Sequence, residues 1–224
     1  EKGKAATTPE APALPGFEFV CWNDSSFTKV AEDISVYAQY KKTLVTVSGK
    51  VGDYPYVDLG LPSGLKWASY NVGAADLTES GSYFSWGETS AKDVYDWSNY
   101  KFGSMSAITK YSTIDFNDHV NDGKTVLEVA DDAAAVNWGA TWRMPTKEDV
   151  EELMAGCDWE WVENFTGTGT FKTGMLGTSK TNGNVIFLPD AQSRYSDMEY
   201  YTGGYYWTAS MYGDVDPTFA ACLL

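Results

Sequence analysis

Apolar and polar positions alternate over much of this 224-residue chain, a period that predicts strands. Phe17, Phe19 and Cys21 form one such set and Ile34, Val36, Ala38 and Tyr40 a second, joined by the polar loop from Asn23 to Asp33. Thr43 to Val57 is expected to be a strand-rich joint, with Leu44, Val45 and Val47 preceding the turn residues Gly49, Gly52 and Pro55. Val57, Leu59 and Leu61 then alternate up to Pro62-Ser63-Gly64, after which Leu65, Trp67 and Ser69 return, so a hairpin is expected. Residues 170–176 and 183–188 are strand-like on either side of Asn182-Gly183, a dipeptide suited to a tight hairpin turn. Residues 199–210 have the pattern strand, glycine turn, strand, and the chain ends in the apolar run Phe219 to Leu224.

Only between Asp131 and Trp161 does the spacing become helical. Lys147 to Ala155 places Val150, Leu153 and Met154 on one face. Thr146 suits its N-cap, with Asp149 three residues on in the manner of a capping box, and Gly156 suits the C′ position. Asp131 is the expected cap of a shorter helix through Ala133, Ala134 and Val136, stopped at Gly139. Four of the nine tryptophans, Trp138, Trp142, Trp159 and Trp161, surround the corner Trp142-Arg143-Met144-Pro145-Thr146 between and after these helices. Asp131, Trp142, Arg143 and Thr146 are therefore the expected structural keystones, Arg143 partly buried against tryptophan and bonded to carbonyls or an acid.

Residues 76–124 lack periodicity but hold many aromatics, which predicts long loops wrapped over a core. The aromatic share of the whole chain is 15%, rich in Tyr and Trp, the aromatics that serve surfaces half apolar and half wet. Sixteen basic against 31 acidic residues leave a net charge of −15, a field that repels phosphate backbones and argues against nucleic acid as a partner. No apolar run is long enough for a transmembrane helix. Cys21, Cys157 and Cys222 cannot all pair and lack metal-ligand spacing; small buried hydrophobes or one disulfide both fit them.

Candidate chemistry is sparse. The single histidine, His119, gives a triad or multi-histidine metal site only one residue to build on, and nucleophile-elbow and phosphate-loop motifs are absent. Asp115, Asp118 and Asp122 form an oxygen-rich loop, but Val120 stands where an EF-hand would need a ligand and the closing glutamate is displaced to Glu128. No cofactor is expected, with calcium at that loop the alternative.

Two stretches resemble known families. Residues 1–42, through GFEFVCWNDSSFTKVAEDISVYAQYKK, are similar to the second half of the Listeria–Bacteroides (internalin-type B) repeat, with the family's opening strand missing. That resemblance implies a partial β-grasp-like module and a bacterial cell-surface parent. Residues 56–224 resemble the Fibrobacter succinogenes major paralogous domain family. The matching residues are YVDLGLPSGL from Tyr56, Trp67-Ala68, Asn71-Val72-Gly73-Ala74, YFSWGE from Tyr83, DDAA from Asp131, WRMPT from Trp142, IFLP from Ile186 and YYWTAS from Tyr205. The Arg-x-Pro-Thr corner is also similar to the formylglycine-generating-enzyme type of C-type-lectin-like fold. Together these imply an α+β protein: a partial repeat at 1–42, a linker at 43–55, and a lectin-like domain of two short helices and antiparallel strands at 56–224, its closing strands expected beyond Leu224.

The expected function follows: a non-enzymatic, extracellular protein of the bacterial cell surface, acting in adhesion or in binding a glycan or a host or bacterial surface protein. The aromatic loops are the expected working surface, with Tyr83, Trp86, Trp97, Tyr201, Tyr205 and Trp207 as ligand-binding candidates. A structural spacer or assembly module and a carbohydrate-active enzyme are the alternatives.

Overall fold

The computed structural model describes residues 5–13, 17–23, 33, 35–42, 44–115, 118–200, 203–212 and 220–223. Its pairings are all antiparallel and grouped in small sheets, with two α-helices set among them, so the chain has a small mixed α/β fold dominated by strands. β1 (Phe17–Trp22) pairs with β2 (Ala38–Lys42), as the two alternating sets at the start of the chain predict. Ile34 and most of the intervening loop lie outside the described residues.

The second sheet begins within the strand-rich joint at 43–57. β3 (Gly49–Val51) turns at Gly52-Asp53 into β4 (Tyr54–Val57), which pairs in turn with β5 (Trp67–Ala68). Ser48 and Thr46 add to this joint: the Ser48 hydroxyl accepts the Asp58 amide (2.9 Å) and the Thr46 carbonyl accepts the Ser69 hydroxyl (2.6 Å). Residues 45–55 are thereby bound into the sheet. The expected hairpin at 57–69 is correspondingly short, because Leu59 and Leu61 leave the ladder to enter the core.

A two-residue hairpin, β6 (Gly103–Ser104) and β7 (Ala107–Ile108), is the regular element within the long aromatic loops. The first helix, α1 (Ala133–Trp138), follows a single 3₁₀ turn, Val129–Asp131. Its cap is Asp132, whose carboxylate accepts the Ala135 amide, and not Asp131. Asp131 is drawn away into an ion cluster, described below, of which it is the buried member.

The second helix, α2 (Lys147–Gly156), starts on the expected capping box between Thr146 and Asp149. Its end departs from expectation. Gly156 is the last helical residue, its φ is not positive, and the chain passes straight into β8 (Cys157–Val162). Glycine is required there by proximity: a Cβ would lie 2.4 Å from the Leu61 side chain. Only Leu153 of the predicted apolar face is fully buried, and Met154 is exposed.

β8 carries Trp159 and Trp161 and pairs with β9 (Gly174–Ser179), which pairs with β10 (Val185–Pro189) across the predicted Asn182-Gly183 turn. Asn182 and Asn184 also donate their side-chain amides to the Asp58 carbonyl (2.9 and 2.7 Å), and Ser179 donates its hydroxyl to the Leu59 carbonyl (2.6 Å). The hairpin thus clamps the segment that left the β4–β5 ladder. β11 (Ser193–Tyr195) pairs with β12 (Met198–Tyr200), and β13 (Tyr206–Met211) with β14 (Ala220–Leu223). The strand, turn, strand pattern of 199–210 is present, but its two halves pair elsewhere rather than with each other.

Three apolar clusters hold these layers together. Val57, Leu59, Leu61, Leu153, Cys157 and Ile186 join the β4 segment to α2 and β10. Trp86, Phe102, Tyr111, Leu127, Ala209 and Met211 pack the aromatic loops on β13. Phe165, Leu176, Val185 and Phe187 fill the far face of β9–β10, with Phe165 and Phe187 stacked at 4.1 Å. Among the described residues no helix is long and apolar enough to cross a membrane.

Candidate functional site

The tryptophan-rich corner is tied down from both sides. Trp142 is buried and donates its indole N–H to the Val51 carbonyl (3.3 Å), linking the corner to β3. Trp138 packs edge-on against Trp142 (5.1 Å) and stacks on Tyr54 (4.5 Å), extending the contact to β4. Asp132 does two tasks, capping α1 and accepting the Met144 amide (2.7 Å). Arg143 is exposed and bonds Asp149 and the Met144 carbonyl. Arg143 thus makes the carbonyl and acid bonds expected of it, with its side chain 48% exposed.

Asp131 is the more deeply embedded acid, 4% exposed. Its carboxylate is shared by Lys101 (2.6 Å), Lys110 and the Tyr111 hydroxyl (2.6 Å). Burial alone would raise its pKa, but the two ammonium groups and the phenol outweigh that and bring it down to about 2. Burial and the same carboxylate push the Tyr111 phenol up to about 12.

A cavity of about 870 Å³ opens among the aromatic segments, within the range of ligand pockets. It is bordered by β5, β10, the segment around Tyr83 to Glu88, the corner at Trp142-Arg143, residues 191–195 and Tyr205 to Trp207. Tyr83, Trp86, Trp97, Tyr205 and Trp207 all contribute to its lining. Tyr201, the sixth expected ligand residue, lies outside the described residues.

Four rings of the lining have their polar ends engaged elsewhere. Trp207 donates to the Phe84 carbonyl (3.0 Å), Trp86 to Thr208 (2.8 Å), Tyr83 to Ala191 (2.6 Å) and Tyr206 to Pro189 (2.6 Å). What remains for the cavity is ring surface. The rings are not equivalent, because Trp86 is 8% exposed and belongs to the core cluster with Tyr111, whereas Tyr205 is 47% and Trp207 38% exposed. Trp97 is half-buried, edge-on to Tyr100 at 5.4 Å. Burial holds the Tyr100 and Tyr206 phenols well above their ordinary pKa, so both stay neutral.

Two acids of the wall, Glu88 and Asp149, are paired. Glu88 accepts the Lys101 amide (2.7 Å) and bonds Lys92 (2.9 Å); Asp149 completes the capping box and bonds Arg143. The Arg194 guanidinium lies over the Tyr83 ring at 4.7 Å. Gln192, also in the lining, has φ +64°, a left-handed conformation uncommon for a residue with a side chain and concentrated at functional sites. That conformation, the Asp131 cluster and the contributions of Trp67 and Tyr70 to the wall had no sequence signal, since each depends on residues distant in the chain.

The oxygen-rich loop is occupied by its own backbone. Asp122 accepts the amides of Tyr111 (3.1 Å), Ser112 (3.0 Å) and Lys124 (3.2 Å), which lower its pKa against the opposing effect of burial. Asp115 accepts the Asn121 side-chain amide (3.3 Å), and the Asp118 amide donates to Ser106. Among the described residues no group of three or more His, Cys, Asp or Glu is placed to hold a metal ion. His119 is likewise engaged, its Nδ1 accepting the Ile108 amide (2.9 Å). Cys21 and Cys157 are free thiols, the first exposed and the second buried, where desolvation raises its pKa.

With this geometry the class is a strand-dominated α/β protein with an aromatic-walled cavity. The chain matches no family model, no curated protein and no solved structure.

Proposed function

We propose that this is a non-enzymatic ligand-binding protein of the bacterial cell surface, acting in adhesion by taking a glycan or a protein segment into the aromatic-walled cavity. The observation that carries the proposal is the convergence of Tyr83, Trp86, Trp97, Tyr205 and Trp207 on one cavity of about 870 Å³. Tyr83, Trp86 and Trp207, whose polar ends are spent on backbone carbonyls, offer flat apolar faces, which suit sugar CH faces and apolar side chains alike. The resemblances to the Fibrobacter succinogenes major paralogous domain and the Listeria–Bacteroides repeat, and the C-type-lectin-like arrangement they imply, favour an extracellular setting. The net charge of −15 speaks against nucleic acid as a partner.

A glycan array combined with light scattering on the purified chain tests the proposal. Specific retention of a ligand by a monomer is the expected result, and EDTA leaves both binding and thermal midpoint unchanged. Hydrolysis of a retained polysaccharide would instead make the protein a carbohydrate-active enzyme. A second role, as an assembly module, is favoured by the outer edge of β8, unpaired among the described residues, with Trp161 54% exposed on that strand. Concentration-dependent assembly without any ligand would select that role.

A further inference from the structure

We infer that the outer edge of β8 docks a basic, extended segment of another protein, which adds to the three-stranded β10–β9–β8 sheet as a further strand. This rests on the assembly role of that edge and not on the cavity, whose lining includes no residue of β8. The ladder fixes which main-chain groups of β8 are spent. The Lys180 amide donates to the Gly156 carbonyl (3.0 Å), whereas the Ser179 amide, opposite Cys157, points away from β8 and donates to Asn184 (2.8 Å). Alternation along an antiparallel pair then turns the amides and carbonyls of Asp158, Glu160 and Val162 towards β9 and those of Trp159 and Trp161 outward. Among the described residues nothing bonds the outward main-chain groups of Trp159 and Trp161. The strand is also open to solvent, with Asp158 and Glu160 exposed and Trp161 54% exposed. An edge in this state is a template for another strand.

The side chains decide what kind of strand fits. Successive residues point to opposite faces, so Asp158 and Glu160 share one face of β8 and Trp159 and Trp161 the other. Lys180 lies 3.7 Å from Asp158 in an exposed pair of little strength, and Glu160 forms no ion pair among the described residues. Trp159 is held over Gly177, which leaves Trp161 as the apolar contact. A guest with basic residues opposite the two acids and apolar residues in between therefore meets each face with its complement. A second copy of the chain does not. Antiparallel self-pairing centred on Trp159 sets Asp158 against Glu160, and pairing centred on Glu160 sets that acid against itself; like charges directly opposite are destabilising. The acids thus guard the edge against its own kind and select a cationic strand, which the net charge of −15 also attracts.

The test titrates a synthetic peptide of about eight residues, lysine alternating with valine, into the intact chain by calorimetry, with amide exchange followed by NMR. Expected are saturable binding and slowed exchange at the Trp159 and Trp161 amides, while the Asp158 and Glu160 amides, already in the ladder, keep their protection. N-methylation of alternate peptide amides weakens binding at least about tenfold. Glu160→Lys, a change at an exposed side chain checked by circular dichroism, weakens it too and transfers the preference to a peptide with glutamate in place of lysine. Trp207→Ala, in the cavity wall, leaves peptide binding unchanged. Absence of binding overturns the inference, and so does binding that survives N-methylation or leaves exchange at Trp159 and Trp161 unaltered, because attraction between charges then accounts for it. Slowed exchange at these two amides in the chain alone, growing with its concentration, assigns the edge to a second copy: the inference falls and the assembly role stands.

Discussion

Asp132 and Asp131 stand side by side, yet they do different work. Asp132 caps α1 and accepts the Met144 amide, so Asp132→Ala strands one amide and weakens a helix start. The expected cost is about 2–3 kcal/mol by chemical denaturation, the sum of a cap and a buried hydrogen bond. Arg143→Ala removes an ion pair whose arginine side is 48% exposed and is expected to cost less than about 1 kcal/mol. This order reverses the prominence that its tryptophan neighbours lend Arg143 in the sequence. For Asp131 the folded pKa near 2 lies below the ordinary 3.8, so its contribution is full above about pH 4 and is lost as pH falls through about 2. That contribution is about 2 kcal/mol. In Asp131→Asn the pH dependence of stability over this window flattens, a result that acid titration of the denaturation midpoint checks. The salt cluster at the Tyr111 phenol is not visible in a local window, because its buried acid, Asp131, comes from 20 residues further along the chain than Tyr111 and its neighbour Lys110.

At the scale of elements, local rules succeeded where a short stretch supplies its own partners. The Thr146–Asp149 box and the Asn182-Gly183 turn are self-contained, and both stand where the sequence puts them. Thr146→Ala is expected to lower stability by about 1 kcal/mol through loss of the cap. Local rules failed where a neighbour decides. Gly156 resembles a helix stop but is there to admit Leu61, and Trp159, next to a helix in sequence, lies on a strand with its ring over Gly177. A Cβ at Gly177 would meet that ring at 2.7 Å. Gly177→Val therefore displaces Trp159, and a loss of about 1–3 kcal/mol is expected from overpacking, measurable as a lower denaturation midpoint.

For the whole molecule, the cavity sorts residues that composition leaves equivalent. Trp86→Ala opens a hole in the cluster with Tyr111 and Phe102 and is expected to cost about 3–5 kcal/mol. On the proposed binding role, Trp207→Ala and Tyr205→Ala are expected to abolish ligand retention while costing less stability than Trp86→Ala, since both rings are substantially exposed at the wall. Thermal melts run beside the binding assay separate the two classes of aromatic.

The sequence by itself determined the strand-rich character, both helices, the Asn182-Gly183 hairpin turn, the acidic field and most of the aromatic set that lines the cavity. These are written in periodicity, capping and charge, whose partners lie within a few residues or need no partner at all. Tertiary structure alone decided which strands pair, why Gly156 is glycine, where Asp131 goes and which tryptophans face the cavity. Each of those depends on contacts between segments far apart in the chain, such as Val51 with Trp142 and Leu59 with Ser179, whose geometry no local pattern encodes.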